Sequence, residues 1–235
     1  MAGNAQWPTT PADVERLNDR LARDHPIDDY YARSPWLIRW VTQQRLDSIR
    51  RMVGKSAGLR ILEVGSGGGH VLRMFRDARL TAVDVSDVFL ETARKNLAGY
   101  DVEFIKGQIE TLGLPAHGFD RIICTEVLEH TVNPPEILRT IRQLLTADGR
   151  AIITVPIDPV IDSVKQVLRV TPVGWLLRKR IEWGGDHFHL HKWWPWQFQR
   201  LLEAEFEIEE RRLVPTVPVP IHVCFSCRPR AVSKS

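Results

Sequence analysis

Short apolar runs and longer amphipathic segments alternate along much of this chain. The apolar runs lie near residues 59–64, 80–85, 102–105, 121–124 and 151–155. Short continuous runs of this kind predict strands that are covered on both faces, and the amphipathic segments between them predict helices. The alternation therefore predicts an α/β fold, in which a parallel sheet carries helices on both faces. Ligands bind such sheets at the carboxyl ends of the strands.

The connecting helices are expected near residues 70–77, 88–97 and 134–145. Pro134 and Pro135 suit the start of the third helix, and Gly149 suits its C-terminal stop, because proline is tolerated in a first helical turn and glycine ends helices. After residue 156 the alternation stops. A further helix and two last strands are predicted later in the chain, near residues 195–204, 206–214 and 221–227.

The pattern divides the chain into four regions. An apolar stripe between Trp36 and Val53 predicts an amphipathic helix that packs on a core or covers a site. Residues 1–57 are predicted to form an N-terminal helical cover, and residues 58–156 to form the alternating core. Residues 157–196 are predicted to form a lid inserted after the fifth strand. Residues 197–235 are predicted to form a C-terminal helix and two strands that complete the core.

Composition narrows the class of protein. The chain has 235 residues and a net charge of +3, which is too weak a basic balance to predict nucleic-acid binding. No run of about 18 apolar residues predicts a transmembrane helix, and the N-terminus lacks the apolar core of a signal peptide. The 3 cysteines suit a reducing compartment, so a cytoplasmic location is expected. Cys224 and Cys227 are expected on opposite faces of a strand as structural residues.

A glycine-rich turn follows the first predicted strand. Residues 63–69 read Glu-Val-Gly-Ser-Gly-Gly-Gly. Glycine lets a ligand approach the backbone and tolerates positive φ, and a following helix start offers unpaired N–H groups. The dinucleotide pattern G-x-G-x-x-G requires a glycine where this chain has His70. The spacing therefore disfavours a nicotinamide-dependent dehydrogenase.

Asp84 ends the second predicted strand, roughly 20 residues after Glu63. In nucleotide-binding α/β units, an acid at this distance holds ribose hydroxyls, because a carboxylate can accept two hydrogen bonds from a diol. The same residue could instead act as a turn residue or helix cap before Ser86. Its position after the glycine turn favours the ribose role.

The pattern E-x-G-x-G-x-G at residues 63–69 resembles motif I of the class I S-adenosylmethionine (SAM) dependent methyltransferases. Residues 119–130 are similar to the fourth-strand motif of that family, and residues 144–150 resemble the turn before its fifth strand. The resemblance covers residues 59–155 and points to the small-molecule branch, with ubiquinone, menaquinone and natural-product methyltransferases. It implies a Rossmann-like, seven-stranded, mostly parallel sheet with an N-terminal helical extension and a lid insertion.

The resemblance also implies SAM as cofactor, S-adenosylhomocysteine (SAH) as product, and a set of cofactor-binding residues. Glu63 and the glycines would surround the methionine part, Asp84 the ribose, and Val85 the adenine. Gln108 stands where many family members have aspartate, and its amide oxygen could still accept from the adenine amino group. The implied residues are Glu63, Gly65, Ser66, Gly67, Gly69, Asp84, Val85, Gln108, Ile109 and Glu126.

Methyl transfer from SAM is an in-line displacement at an activated sulfonium carbon, so orientation supplies much of the rate. A hydroxyl acceptor gains from a general base. His130, at the end of the fourth strand, is one candidate, and it could instead pack locally. His187 and His189 are further candidates for the base.

A metal site is the competing interpretation of the histidines at 187, 189 and 191. In a strand they would share one face, and imidazole suits zinc or iron. Family members carry a His-rich turn in this region without metal, so a structural or substrate-shaping role is preferred and no metal is predicted.

The insertion at 157–196 is interpreted as a substrate lid. Its tryptophans and basic residues also suit a membrane interface, so peripheral membrane contact through residues 160–196 is kept as an alternative. The leading hypothesis is methylation of a small molecule, at a hydroxyl oxygen. The rivals are a membrane-surface enzyme for a lipid or quinone-like substrate, and a SAM-binding module without turnover. The acceptor's identity and the oligomeric state stay open.

Overall fold

The computed structural model describes residues 34–171 and 189–231, together with five separate positions nearer the N-terminus: Asp13, Arg16, Asp19, Arg20 and Arg23. Within these residues, seven strands form one sheet. The strands are β1 (Arg60–Val64), β2 (Arg79–Asp84), β3 (Val102–Lys106), β4 (Phe119–Thr125), β5 (Leu145–Pro156), β6 (Phe206–Val214) and β7 (His222–Pro229).

The sheet has the order β3-β2-β1-β4-β5-β7-β6. Strands β1 to β5 pair in parallel, and β7 lies antiparallel between β5 and β6. The strand order reverses between β1 and β4, which makes the carboxyl end of β1 the topological switch point where open sheets bind ligands. The predicted Rossmann-like, mostly parallel fold is confirmed, with one antiparallel hairpin at its end.

Five helices surround the sheet in the described residues: α1 (Trp36–Val53), α2 (Asp87–Asn96), α3 (Pro134–Leu144), α4 (Asp158–Arg169) and α5 (Pro195–Glu203). On one face, Ile137 and Leu138 of α3 and Phe198 of α5 pack in the core. On the other, Ile49 and Val53 of α1 join the core. The helices cover both faces because the central strands are apolar on both sides.

Two expectations about helix limits are wrong. The helix predicted near 70–77 is only a short 3₁₀ turn, Leu72–Met74. Leu72 and Phe75 are buried, so core contacts fix this short segment before the chain must return to β2. Gly149 does not end α3, because the helix stops at Leu144 and Leu145 takes an extended conformation. The buried Leu145 already pairs with Phe119 of β4.

The N-terminal and lid regions are described only in part. Helix α1 confirms the helix expected from the stripe between Trp36 and Val53. Helix α4 occupies the start of the predicted lid, and residues 172–188, including His187, lie outside the described part of the chain. The division into four regions stays a prediction. None of the described helices is long and apolar enough to cross a membrane.

The two cysteines of β7 lie on opposite faces, as expected. Cys224 packs with the α1 side of the core, and Cys227 packs with the side that α3 and α5 cover. Both are buried free thiols, and burial raises the pKa of each to about 12. Their thiols therefore stay neutral and act as small apolar core groups.

Candidate active site

A cavity of about 710 Å³ opens at the carboxyl ends of β1, β2 and β4. Its wall includes the turn after β1, Asp84 and Val85, Phe89 of α2, residues 107–111, residues 125–127 with 130–133, the start of α3, and Arg45 of α1. Every residue that the resemblance implies for cofactor binding lines this cavity, apart from Gly69. The structure therefore brings nine of the ten implied residues together around one cavity.

The glycine turn adopts conformations that other residues rarely adopt. Gly65 and Gly67 have φ angles of 67° and 49°. A Cβ on Gly65 would collide with the side chain of Val127, so glycine is required there for the turn to approach the segment after β4. Gly69 has a φ of 76°, and a Cβ there would come within 2.8 Å of Leu97 Cδ1. Gly69 therefore supports the turn from behind.

Asp84 is held by backbone N–H groups at the cavity floor. Its two oxygens accept from Gly67 N at 2.8 Å and Ser86 N at 2.9 Å. Burial raises the pKa of Asp84, and the N–H groups of Ser86, Gly67 and Val85 oppose that shift. Each carboxylate oxygen has a second lone pair, so Asp84 can fix the turn and still accept hydrogen bonds from a ligand.

Glu63 presents a buried acceptor to the same cavity. It is 1% exposed, and its Oε2 has no hydrogen-bond partner among the described residues. Burial, together with the nearby charge of Asp84, raises the pKa of Glu63 well above its ordinary value. An unsatisfied buried oxygen is costly, so the site fits a ligand that supplies a donor here.

An apolar slot lies beside these acids. Val85 and Phe89 from the β2 side, and Ile109 from the loop after β3, line the cavity next to Gln108. Apolar walls with one adjacent amide suit a flat ring that carries polar edges. The structure therefore brings Val85, Gln108 and Ile109 together, as the resemblance implies.

Glu126 stands in a network that the sequence did not reveal. Its Oε2 lies 3.1 Å from Arg45 of α1 and 3.2 Å from Nε2 of His222 at the start of β7, and its Oε1 accepts from Thr154 Oγ1 at 3.0 Å. Burial alone would raise the pKa of Glu126, but His222, Arg45 and Thr154 outweigh it and hold the pKa far below its usual range.

Arg45 and His222 were missed because no local motif marks them. Arg45 is a polar position on an otherwise ordinary amphipathic helix, and His222 follows a proline-rich connection. Only the packing of α1 and the antiparallel placement of β7 bring them to Glu126. Their partner Glu126 does carry a structural signal. Its φ of 55° is uncommon for a residue other than glycine, and such backbone conformations are often found at functional sites.

Two of the three candidate base residues are neighbours. His130 lines the cavity, and the ring of His189 stands edge-on to it with the centroids 4.8 Å apart. His187 falls outside the described residues. Positions 189 and 191 are not in a strand, so the strand-face argument for a three-histidine metal site does not apply to them.

Glu129 adds a carboxyl group behind the two histidines. It is fully buried, and its side-chain oxygens have no partner among the described residues. Burial and the charge of Glu126 raise the pKa of Glu129 well above its ordinary value. One possible metal-ligand atom from each of Glu129, His130 and His189 lies within 4.8 Å of the other two. At this spacing such groups can exchange a proton or share a cation. That no metal occupies this region stays a prediction.

Comparison with known proteins agrees with this geometry. Residues 62–153 match the family described as "Methyltransferase domain". A Schizosaccharomyces pombe protein named mitochondrial ubiquinone biosynthesis O-methyltransferase is 30% identical over 155 residues, which cover 59% of this chain and 56% of that protein. In the first relatives, the matched region spans between 46% and 63% of their own length.

Solved structures share the fold at low sequence identity. The structure described as the [4+2]-cyclase SpnF has a TM-score of 0.70 and 18% identity, covering 97% of this chain and 100% of that one. The structure described as trans-methyltransferase CalH complexed with SAH has a TM-score of 0.65 and 23% identity, covering 91% of this chain and 62% of that one. These likenesses concern the fold.

Proposed function

We propose, from the premise that residues 62–153 form a class I methyltransferase domain, that the chain transfers the methyl group of SAM to a hydroxyl oxygen of a small-molecule acceptor. The observation that carries the proposal is the paired acids at the switch point. Asp84 is held by the glycine turn, and the unsatisfied Glu63 faces the same cavity.

Each part of SAM has a matching chemistry in the cavity. Asp84 would accept from the ribose hydroxyls through its remaining lone pairs. Val85 and Ile109 would enclose the adenine, with Gln108 at its polar edge. The methionine ammonium would supply the donor that Glu63 lacks. Arg45, which lines the same cavity and pairs with Glu126, would contact the methionine carboxylate.

The acceptor would bind beside His130. Methyl transfer needs the acceptor oxygen in line with the bond from methyl carbon to sulfur, and binding both partners in one cavity provides that orientation. His130 lines the wall and would take the hydroxyl proton as the nucleophile forms. The S. pombe relative is named an O-methyltransferase, which supports oxygen over nitrogen or carbon.

Calorimetric titration of SAH tests the cofactor part of the proposal. Wild type should bind SAH, and Asp84→Ala should weaken binding by about 10-fold to 100-fold, because the ribose loses charge-assisted hydrogen bonds. Asp87→Ala is the matched control, since Asp87 is an exposed neighbour that pairs with Lys106. No SAH binding by wild type, or equal loss in both variants, would refute the assignment.

A second candidate is a membrane-surface enzyme for a lipid or quinone-like substrate. Within residues 160–196, Val167 is 62% exposed, Val170 84% and Trp196 53%, and exposed apolar groups of this kind suit an interface. Wild type should then sediment with vesicles of phosphatidylcholine and phosphatidylglycerol, and Val167→Asp/Val170→Asp should not. Equal recovery of both proteins in the supernatant would favour a soluble acceptor.

A SAM-binding module without turnover is the remaining alternative. The SpnF structure is described as a cyclase, so this fold does not by itself establish methyl transfer. Such a module predicts SAH affinity without SAH formation from SAM. Incubation with catechols, hydroxybenzoates and hydroquinones separates the two: SAH that accumulates only with an acceptor favours the transferase.

A further inference from the structure

Asp158 is a buried acid that the proposed function leaves without a role. It begins α4 directly after β5, so it stands at the carboxyl edge of the sheet, next to the site. It is 1% exposed. Its Oδ1 lies 2.8 Å from Nδ1 of His189, and its Oδ2 has no partner within the described parts of the chain. A carboxylate buried at this depth is costly unless a partner compensates it.

The segment that carries His189 is fixed to the turn after β4. The backbone N–H groups of Leu190 and His191 both donate to the carbonyl oxygen of Glu129, at 2.7 and 3.2 Å. The Nε2 of His191 donates to the carbonyl oxygen of Thr131 at 3.0 Å. The ring of His191 also stacks on Trp193. His189 is therefore held against the segment that contains His130.

The Asp158 contact sets which nitrogen of His189 carries the proton. An ionised carboxylate only accepts, so Nδ1–H of His189 donates to Oδ1 and leaves Nε2 as an acceptor. The His189 ring then meets the His130 ring edge-on at 4.8 Å. A hydrogen bond thus joins Asp158 to His189, and a ring contact joins His189 to His130 at the cavity wall.

We propose that Asp158 and His189 are positioning residues that orient the His130 ring at the cavity wall for proton transfer. In the step they support, the acceptor O–H bond breaks and its proton passes to His130. The oxygen lone pair forms the new O–C bond, and the electron pair of the S–C bond stays on sulfur, which gives SAH. The inference rests on the proposed function. Asp158 would fix the orientation of His189 through its hydrogen bond, as a carboxylate behind an imidazole does, and His189 would hold the His130 ring through their edge-on contact.

The neighbouring charges set the conditions for this step. The titratable and charged groups around this site are Glu126 and Glu129 after β4, His191 next in the chain to His189, and Arg45 and His222 on α1 and β7. Arg45 and His222 pair with Glu126. Burial and the charge of Glu126 raise the pKa of Glu129, whereas Asp158 makes the direct 2.8 Å contact with Nδ1 of His189.

Replacement of Asp158 by Asn tests the proposal, with Asp162→Asn as the matched control on the same helix. Asp162 makes an exposed ion pair with Lys192 at 2.8 Å. With SAM and catechol, Asp158→Asn should lower kcat by about 100-fold with KM for catechol unchanged, and should shift the acidic limb of the kcat profile. Asp162→Asn should retain wild-type kcat. Equal kcat in wild type and Asp158→Asn, or a purely KM effect, would overturn the role.

Nitrogen NMR of the histidine rings separates this role from the proposed function. The His189 signal, assigned by its loss in His189→Gln, should show protonated Nδ1 in wild type and in Asp162→Asn. In Asp158→Leu, whose side chain cannot accept from Nδ1–H, the His189 tautomer should change. If catechol is not methylated, the kcat comparison gives no result with this acceptor, and the NMR result decides whether Asp158 pairs with His189. An unchanged His189 tautomer in Asp158→Leu overturns the pairing.

A requirement for a metal cation in methyl transfer would also contradict the proposal. If EDTA abolishes methyl transfer to catechol and Mg²⁺, Mn²⁺ or Zn²⁺ restores it, the donors near Glu129 hold a metal. The histidine nitrogens would then not be available for a proton, and the proposal would fail. Activity that EDTA leaves unchanged, together with the 100-fold loss in Asp158→Asn, supports proton transfer.

Discussion

At the scale of single residues, two buried acids that line the same cavity have different surroundings. Asp84 is satisfied by backbone N–H groups, whereas Glu63 keeps one oxygen without a partner in the described structure. The difference follows from position: Asp84 ends β2 beside the glycine turn, and Glu63 lies inside β1, where its own backbone is paired. Spacing predicts Asp84 as a site residue and the family resemblance implies Glu63, but neither indicates that a Glu63 oxygen lacks a hydrogen-bond partner until a ligand binds.

Cofactor binding should release a proton from Glu63. Burial and the charge of Asp84 raise the pKa of this carboxyl well above its ordinary value, which favours its protonated form in the empty site, and an arriving ammonium group favours its ionised form. We expect SAH binding near pH 7 to release about one proton, measured by calorimetry in buffers with different ionisation enthalpies. Glu63→Gln should bind without release. Equal release from both proteins would contradict this.

Arg45 should stabilise the fold through Glu126. Arg45→Met leaves a half-paired carboxylate near the core, and should lower the free energy of unfolding by about 2 kcal/mol at pH 7. Urea denaturation measures this, with the exposed Arg50→Met as control. The effect should disappear in a Glu126→Gln background. A loss that persists in that background would mean that Arg45 acts by packing alone.

The Glu126 network also has a pH signature. A carboxyl whose pKa is depressed in the folded state contributes stability that is present above its unfolded pKa, near 4.5, and is lost as the pH falls towards the folded value. We expect the stability difference between wild type and Glu126→Gln to shrink from pH 6 to pH 3. A constant difference would show that the network carries no net electrostatic stabilisation.

At the scale of elements, the turn after β1 shows what a motif can and cannot reveal. The glycine pattern correctly predicts a tight turn at a ligand site. The helix expected after it is only Leu72–Met74, because the distance back to β2 and the buried Leu72 and Phe75 decide its length. These are tertiary constraints, and local periodicity contains no information about them.

Gly69 and Gly99 allow the backbone strain of a substitution to be measured separately from its steric overlap. Both have positive φ, 76° and 81°, but a Cβ on Gly69 would approach Leu97 while one on Gly99 meets nothing within 4 Å. Each Ala variant should lower the free energy of unfolding by about 1 kcal/mol, because of the positive φ. Gly69→Ala should lower it by about 1–3 kcal/mol more, because its Cβ overpacks against Leu97. Equal losses in thermal denaturation would show that Leu97 moves aside freely.

At the scale of the whole molecule, the site is a meeting of segments that are distant in sequence. The motifs between Glu63 and Glu126 could be predicted because each lies where a strand ends. Arg45, Asp158 and His222 could not, because their roles depend on how α1, α4 and β7 pack around the carboxyl edge. The sheet order brings these elements to one cavity of about 710 Å³, large enough for a cofactor and an acceptor together.

The central claim is methyl transfer, and product analysis after incubation with isotope-labelled SAM tests it most directly. Catechols or hydroxybenzoates should gain the labelled methyl group on oxygen while SAH accumulates in equal amount. Asp84→Ala should lose both products together, and Asp87→Ala should keep them. SAH affinity without any labelled product, across phenolic, amine and carbon acceptors, would contradict the claim and leave a SAM-binding module.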